Sequence, residues 1–169
     1  LLVDCLRQAG IPDGVVNFVT GPGSTVGNTL VESKNVDGVT FTGSYDVGMG
    51  IYRSFAQGEY VRPCILELGG KNPTIVSKHA NIEDAAIGIA RSAFGLQGQK
   101  CSACSRVFVE KEVYDDLVGR LADITGKLKV GDPADRDTYM GPVNNKAAYV
   151  DYQTYTKELK TAGKVIYGG

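Results

Sequence analysis

Apolar positions along the chain switch repeatedly between helical and strand spacing, and the switches set the order of elements. Leu1, Leu2, Cys5 and Leu6 recur at helical spacing. Gly10 followed by Pro12 ends the helix they predict. Val15 to Val19 is a short run with β-branched residues that predicts a buried strand. Gly21-Pro22-Gly23 forms a tight turn, and Ser24 or Thr25 can cap a helix running to about Glu32. The same order then repeats. Val36 to Phe41 reads as a strand, Thr42-Gly43-Ser44 as a turn, and Tyr45 to Gln57 as a helix. Strands alternating with helices predict parallel βαβ units and an α/β fold. In such sheets ligands bind where strand carboxyl ends meet helix N-termini, and both glycine turns fall at that junction.

The rhythm changes near Arg62. Ile65-Leu66-Glu67-Leu68 runs into Gly69-Gly70-Lys71, and Pro73 to Val76 predicts another strand. Asn81 caps a predicted helix from Ile82 to about Phe94, with Glu83 and Asp84 favoured in its first turn by the helix dipole. Gly95 to Cys104 is a polar, glycine-bearing loop. Val107 to Val109 reads as a strand, Glu112 to Lys127 as an amphipathic helix, and Asp132-Pro133 as a turn. A last helix is expected from about Asn145 to Leu159. Val165 to Tyr167 reads as a strand leading into a turn at Gly168-Gly169. The chain thus opens on a helix without a cap and closes in a turn, the pattern expected of a piece of a longer protein.

Composition adds limits. The 169 residues are 43% apolar and 22% charged, close to globular averages, and long enough for a real core. Lys and Arg total 18 against 19 Asp and Glu, so no electrostatic case exists for a nucleic-acid or anionic-membrane partner. No apolar run approaches the ~20 residues that span a bilayer, and no secretory leader is expected. Glycine is the outlier at 22 residues, nearly twice the usual ~7%, and its members fall between the periodic segments. Four cysteines do not suggest a disulfide scaffold. A reducing, cytoplasmic setting is expected.

Several residues carry candidate chemistry. GPGSTVG, from Gly21, is neither a dinucleotide fingerprint nor a phosphate-binding P-loop, because it lacks the Lys-Ser/Thr pair. Ser44 after Gly43 serves equally as a plain helix cap. Glu67 alternates with Leu66 and Leu68, so it either points from a strand into a cleft or sits on an exposed face. Gly69-Gly70 beyond it permits close approach by a backbone or a ligand. Cys101 and Cys104 form a single CxxC, which fits half a zinc site, a redox pair or two unrelated thiols. A second CxxC is absent and the sole histidine, His79, has no ligand pattern around it, so no metal is expected. Lys100 adjoins Cys101 in a polar loop, a setting suited to a reactive thiol more than to a buried structural one.

Three stretches combine into something specific. FTGSYDVG (Phe41 to Gly48), ELGGKNP (Glu67 to Pro73) and FGLQGQKCSACSR (Phe94 to Arg106) occur in the order and spacing of the aldehyde dehydrogenase superfamily. The chain resembles that family over essentially its whole length, including GPV at Gly141 to Val143. GQKCSACSR is most similar to the branch acting on 1-pyrroline-5-carboxylate, or glutamate semialdehyde, in proline catabolism.

The resemblance implies a Rossmann-like cofactor domain, whose last part is residues 1–67, and a catalytic domain, whose first part is residues 68–169. It implies NAD or NADP as cofactor, with Gly23 and Gly27 beside the adenosine and Ser44 on the pyrophosphate. Val47 would face the adenine, and Leu68 and Gly69 the nicotinamide. It implies Cys101 as nucleophile and Glu67 as general base, with Ser102 a candidate contact for a substrate carboxylate. The family also uses an upstream asparagine for the oxyanion, further ribose contacts and oligomerisation strands, which lie outside the matched stretch. The expected partners are a small aldehyde and further copies in a homo-oligomer, with neither nucleic acid nor membrane. Two other readings stand beside this one. One is a catalytically silent module associating through open sheet edges. The other is a thiol redox or metal protein built on Cys101 and Cys104.

Overall fold

Two parallel strand pairs, each joined through a helix, carry the architecture that the alternating pattern predicts. The computed structural model describes residues 1–168, and the chain divides into two compact units, Leu1–Leu68 and Gly69–Gly169.

The first unit contains helix α1 (Leu2–Gln8), a π-helical turn (Gly23–Gly27) running into α2 (Asn28–Glu32), strand β1 (Val39–Gly43), α3 (Tyr45–Ala56) and β2 (Cys64–Leu68). β1 and β2 pair in parallel, from Val39 opposite Cys64 to Gly43 opposite Leu68. The crossover is α3, which starts where Ser44 Oγ accepts the Val47 N–H at 3.4 Å. Gly48 of α3 is buried, and a Cβ there would run into the Leu68 side chain. Glycine therefore lets the helix settle onto the end of β2. Phe55 is buried, with the Arg62 guanidinium 3.9 Å above its ring. Arg62 also donates to the carbonyls of Ser33 and Val36 at 3.0 and 3.2 Å, tying the segment before β1 to the segment before β2.

The second unit contains β3 (Asn72–Val76), α4 (Ile82–Phe94), β4 (Cys104–Val109), α5 (Tyr114–Gly126) and α6 (Lys146–Ala162). β3 and β4 are parallel, and their register slips between Asn72 and Pro73. Val76, Ala86, Ile89 and Leu117 form a buried core between this sheet, α4 and α5, with Val107, Val109 and Leu121 packed against it. Burying one such aliphatic side chain is worth about 1.5–3 kcal/mol. α4 and α6 begin on asparagine caps, whereas α5, as long as α4, has no side-chain cap. Asn81 Oδ1 accepts from the amides of Glu83 and Asp84 at 3.1 and 3.3 Å. Asn145 Oδ1 accepts from Ala148 at 2.9 Å.

Two expected strands do not form. Val15 to Val19 lies in turn and irregular backbone, with Phe18 77% exposed. Val165 to Tyr167 is likewise irregular, and Gly169 of the expected turn lies outside the described residues. An apolar β-branched run becomes a strand only with a ladder partner. Among the described residues each sheet has two strands, and neither run pairs with one. Boundaries move as well. β1 starts at Val39 and runs on through Gly43, so the expected turn shrinks to Ser44. β4 starts at Cys104, earlier than Val107, because Cys104 already pairs with Asn72. Among the described residues no helix is long and apolar enough to cross a membrane.

Candidate active site

In the first unit, helix packing leaves one side of β1 open. A groove of about 750 Å³ is lined by Gly23, Gly27, Leu30, Val39, Phe41 and Val47 among others. Gly23 and Gly27 are bare walls, since a Cβ at either would meet nothing within 4 Å. Val47 supplies an apolar, half-exposed side chain. The structure thus brings Gly23, Gly27 and Val47 together. Ser44 stands apart from the lining as the cap of the 12-residue α3, whose first-turn N–H groups suit an anion. Glu67 and Leu68 lie on β2 opposite Thr42 and Gly43. Their side chains point to opposite faces. Leu68 turns onto α3 at Gly48, whereas Glu67 shares the exposed face with Ile65. Of the two readings the sequence left for Glu67, this unit by itself presents the exposed one.

In the second unit, Gly69 is exposed and a Cβ there would meet nothing within 4 Å. Cys101 and Ser102 are both exposed in a turn that closes where the Ala103 amide donates to the Lys100 carbonyl at 3.2 Å. The turn is held by groups on three sides. Asn72 Nδ2, from the first residue of β3, donates to the Cys101 carbonyl at 2.7 Å. Gln99 Oε1 accepts the Asn144 N–H at 3.2 Å. With its amide set to satisfy both atoms, Gln97 donates to the Leu96 carbonyl at 3.0 Å and accepts the Gly141 N–H at 2.7 Å. The backbone before the cysteine is left-handed at three consecutive residues, with φ of 52° at Leu96, 58° at Gln97 and 70° at Gly98. Two non-glycine residues in that region carry strain of about 1 kcal/mol or more each. The glutamine contacts are what hold it.

These supports were missed at the sequence level. Asn72, Gln97, Gln99 and Gly141 each fall inside a quoted stretch, but a polar residue that bonds across 30 or 40 positions leaves no periodicity to find. The second cysteine is placed differently from the first. The Cys104 amide donates to Ser92 Oγ at 3.1 Å, and its sulfur lies 3.1 Å from Thr74 Oγ1. Cys5, Cys64, Cys101 and Cys104 are all free thiols. Among the described residues no group of three or more His, Cys, Asp and Glu side chains could hold a metal ion.

Comparison with known proteins gives a consistent set of relatives. The family model described as Aldehyde dehydrogenase family matches residues 1–169. A 1-pyrroline-5-carboxylate dehydrogenase of Bacillus cytotoxicus is 45% identical over 171 residues, covering 99% of this chain and 33% of the relative. The chain therefore spans about a third of the length of the curated relatives it matches. The crystal structure of 1-pyrroline-5-carboxylate dehydrogenase from Thermus with bound NAD superposes with a TM-score of 0.91 at 34% identity, over 99% of this chain and 33% of that one. Proline utilization A from Bdellovibrio bacteriovorus superposes with a TM-score of 0.94 at 39% identity, over 98% of this chain and 18% of that one.

Proposed function

The chain belongs to the aldehyde dehydrogenase family, and on that premise we propose that it supplies the nucleophile and general base of an enzyme oxidising a small aldehyde to a carboxylic acid. The activity is proposed for the complete gene product that carries this sequence. The observation that carries the reading is Cys101 itself. Its thiol is exposed and without a hydrogen bond among the described residues, while its backbone is tied down.

The first unit fits a dinucleotide cofactor, NAD or NADP. The groove is large enough for an adenosine and is bare where Gly23 and Gly27 line it. Val47 offers an apolar surface for the adenine. Ser44 opens a helix whose free N–H groups favour a pyrophosphate. Leu68 and Gly69 are assigned to the nicotinamide end. On this reading residues 1–67 are the C-terminal part of the cofactor domain and residues 68–169 the N-terminal part of the catalytic domain.

Chemistry then follows from the residues. The Cys101 thiolate adds to the aldehyde carbon, forming a C–S bond and moving the carbonyl electron pair onto oxygen. That oxyanion calls for preorganised donors, of which the Cys101 backbone N–H is one. When bound, the nicotinamide supplies the two-electron acceptor for the aldehyde hydrogen, which leaves as hydride. Loss of hydride re-forms the carbonyl and leaves a thioester on Cys101. Glu67 takes a proton from water, the resulting hydroxide attacks the thioester, and the C–S bond breaks to release the acid and the thiolate. Ser102, exposed beside the nucleophile, is the proposed contact for a substrate carboxylate. The names of the relatives favour 1-pyrroline-5-carboxylate, through its open glutamate-semialdehyde form, as that substrate. A cytoplasmic homo-oligomer is the expected setting.

The test is to trap the thioester. Glu67→Gln in the complete gene product should give a burst of NADH followed by a slow steady rate, with the acyl mass on the peptide containing Cys101. A steady rate equal to that of the unaltered enzyme, with no acyl mass, removes Glu67 from the base role.

A further inference from the structure

Resting on the assignment of Cys101 as nucleophile, we infer that Asn72 is its positioning residue, fixing the peptide plane that follows the cysteine. Three observations converge on it. The Asn72 amide is the side-chain group that hydrogen-bonds to Cys101 among the described residues, at 2.7 Å and across 29 positions of sequence. A peptide group is planar, so holding the Cys101 carbonyl fixes the whole unit between Cys101 and Ser102 and with it the ψ angle of the cysteine. The turn from Lys100 to Ala103 closes around the same residue, which constrains its other side. The second observation is the slip in the sheet. Asn72 faces Cys104 and Pro73 faces Arg106, so Ser105 is an extra, unpaired residue on β4 between the partners of Asn72 and Pro73. A bulge at that place bends the strand and re-aims what precedes it.

The third observation is that Asn72 is itself anchored at its preceding residue. Arg106 Nε and Nη2 both donate to the Lys71 carbonyl, at 3.2 and 3.0 Å. The guanidinium of one strand thereby holds the entry to the other, and Asn72 passes that rigidity to the cysteine turn. Gly70 lies alongside, where a Cβ would stand 3.4 Å from the Cys101 carbonyl oxygen. The β3–β4 sheet therefore carries the nucleophile without contributing to its thiol. The sulfur is left free while the backbone that aims it is not.

A side chain that aims a nucleophile differs in its effects from one that activates it or merely holds the sheet together. Asn72→Asp is the sharpest variant, because it keeps the shape and sets a carboxylate oxygen against the Cys101 carbonyl. Asn72→Ala removes the bond altogether. In the complete gene product, both should lower the NADH burst rate at saturating aldehyde by roughly tenfold to a hundredfold, the scale of a misplacement near 1 Å. The KM for aldehyde should stay within about threefold, because binding is not what the bond serves. Alkylation of Cys101 by iodoacetamide, followed by peptide mass, should stay within about twofold, since that reaction needs an accessible thiol and no particular aim.

Cys101→Ala is run beside them. If it retains turnover, the nucleophile assignment fails and this inference with it. If it is inactive while both Asn72 variants burst at the unaltered rate, only the positioning role is overturned. If both Asn72 variants lose the burst together with the thermal transition and expose Cys104 to alkylation, Asn72 serves the cohesion of the sheet, and the positioning role is again overturned.

Discussion

Cys101 and Cys104 stand three residues apart and are held in opposite ways. At Cys104 everything is engaged. Its backbone lies in the β3–β4 ladder, its amide bonds to Ser92, and its half-buried sulfur meets Thr74. At Cys101 the division is inverted, with a bonded carbonyl, a strained and buttressed approach, and an exposed thiol that bonds to nothing among the described residues. The contrast separates two uses of one residue type. A structural cysteine spends its sulfur on packing and local bonds. A nucleophile needs its sulfur uncommitted and its backbone immobile. A CxxC spacing is blind to that difference, because it counts positions and not partners.

The largest expected effect breaks the pair directly. Cys101→Ala should abolish aldehyde oxidation in the complete gene product, a fall of at least ~10³-fold, whereas Cys104→Ala should retain most of it. Equal losses would mark a redox pair and sink the contrast. A smaller effect sharpens it from the sheet side. Leu117 is 1% exposed at the centre of the second unit's core, and Leu117→Ala should cost about 2–5 kcal/mol in denaturant unfolding. Alkylation of Cys104 should then quicken while that of Cys101 hardly changes, because only the former relies on the packed sheet. Unchanged reactivity of Cys104 in that variant would mean its burial does not depend on the core. The smallest effect concerns the helix between the two strands. Asn81→Ala removes two capping bonds from α4 and should lower stability by about 1 kcal/mol, with both thiols reacting as before.

Local signals were the legible ones. The boundaries of α4, Ile82 to Phe94, follow from its apolar spacing and from Asn81 before it. Ser44 is readable as a cap, since a cap bonds within three residues of itself, whereas the sequence marks Asn145 only as the start of the last helix and it proves to be its cap. Strand signals were ambiguous in a physical sense. Val15 to Val19 and Val165 to Tyr167 have the composition of buried strands, and composition says nothing about whether a partner is at hand. The candidate site divides along the same line. Cys101 and Glu67 were found through the stretches that contain them. The reach of Asn72 to Cys101, and of Gln97 to Gly141, was not found, because each depends on tertiary placement of a polar group. In the sequence GPV at Gly141 carries only a resemblance, and in the structure the Gly141 amide is where Gln97 is anchored.

The left-handed run before the nucleophile restricts which mutations this stretch can accept. Leu96 and Gln97 hold φ values of 52° and 58°, a region open to glycine and asparagine and nearly closed to β-branched residues. Leu96 is 65% exposed and so gains little from its side chain. Drift at position 96 should therefore run toward asparagine or glycine, and valine or isoleucine should be purged even though either is a smaller chemical step from leucine. At position 97 the same backbone preference meets an opposing demand, because glycine would ease the strain but lose the bond to Gly141. The two neighbouring codons thus face different selection from one backbone shape, the first loose in chemistry and strict in conformation, the second strict in both.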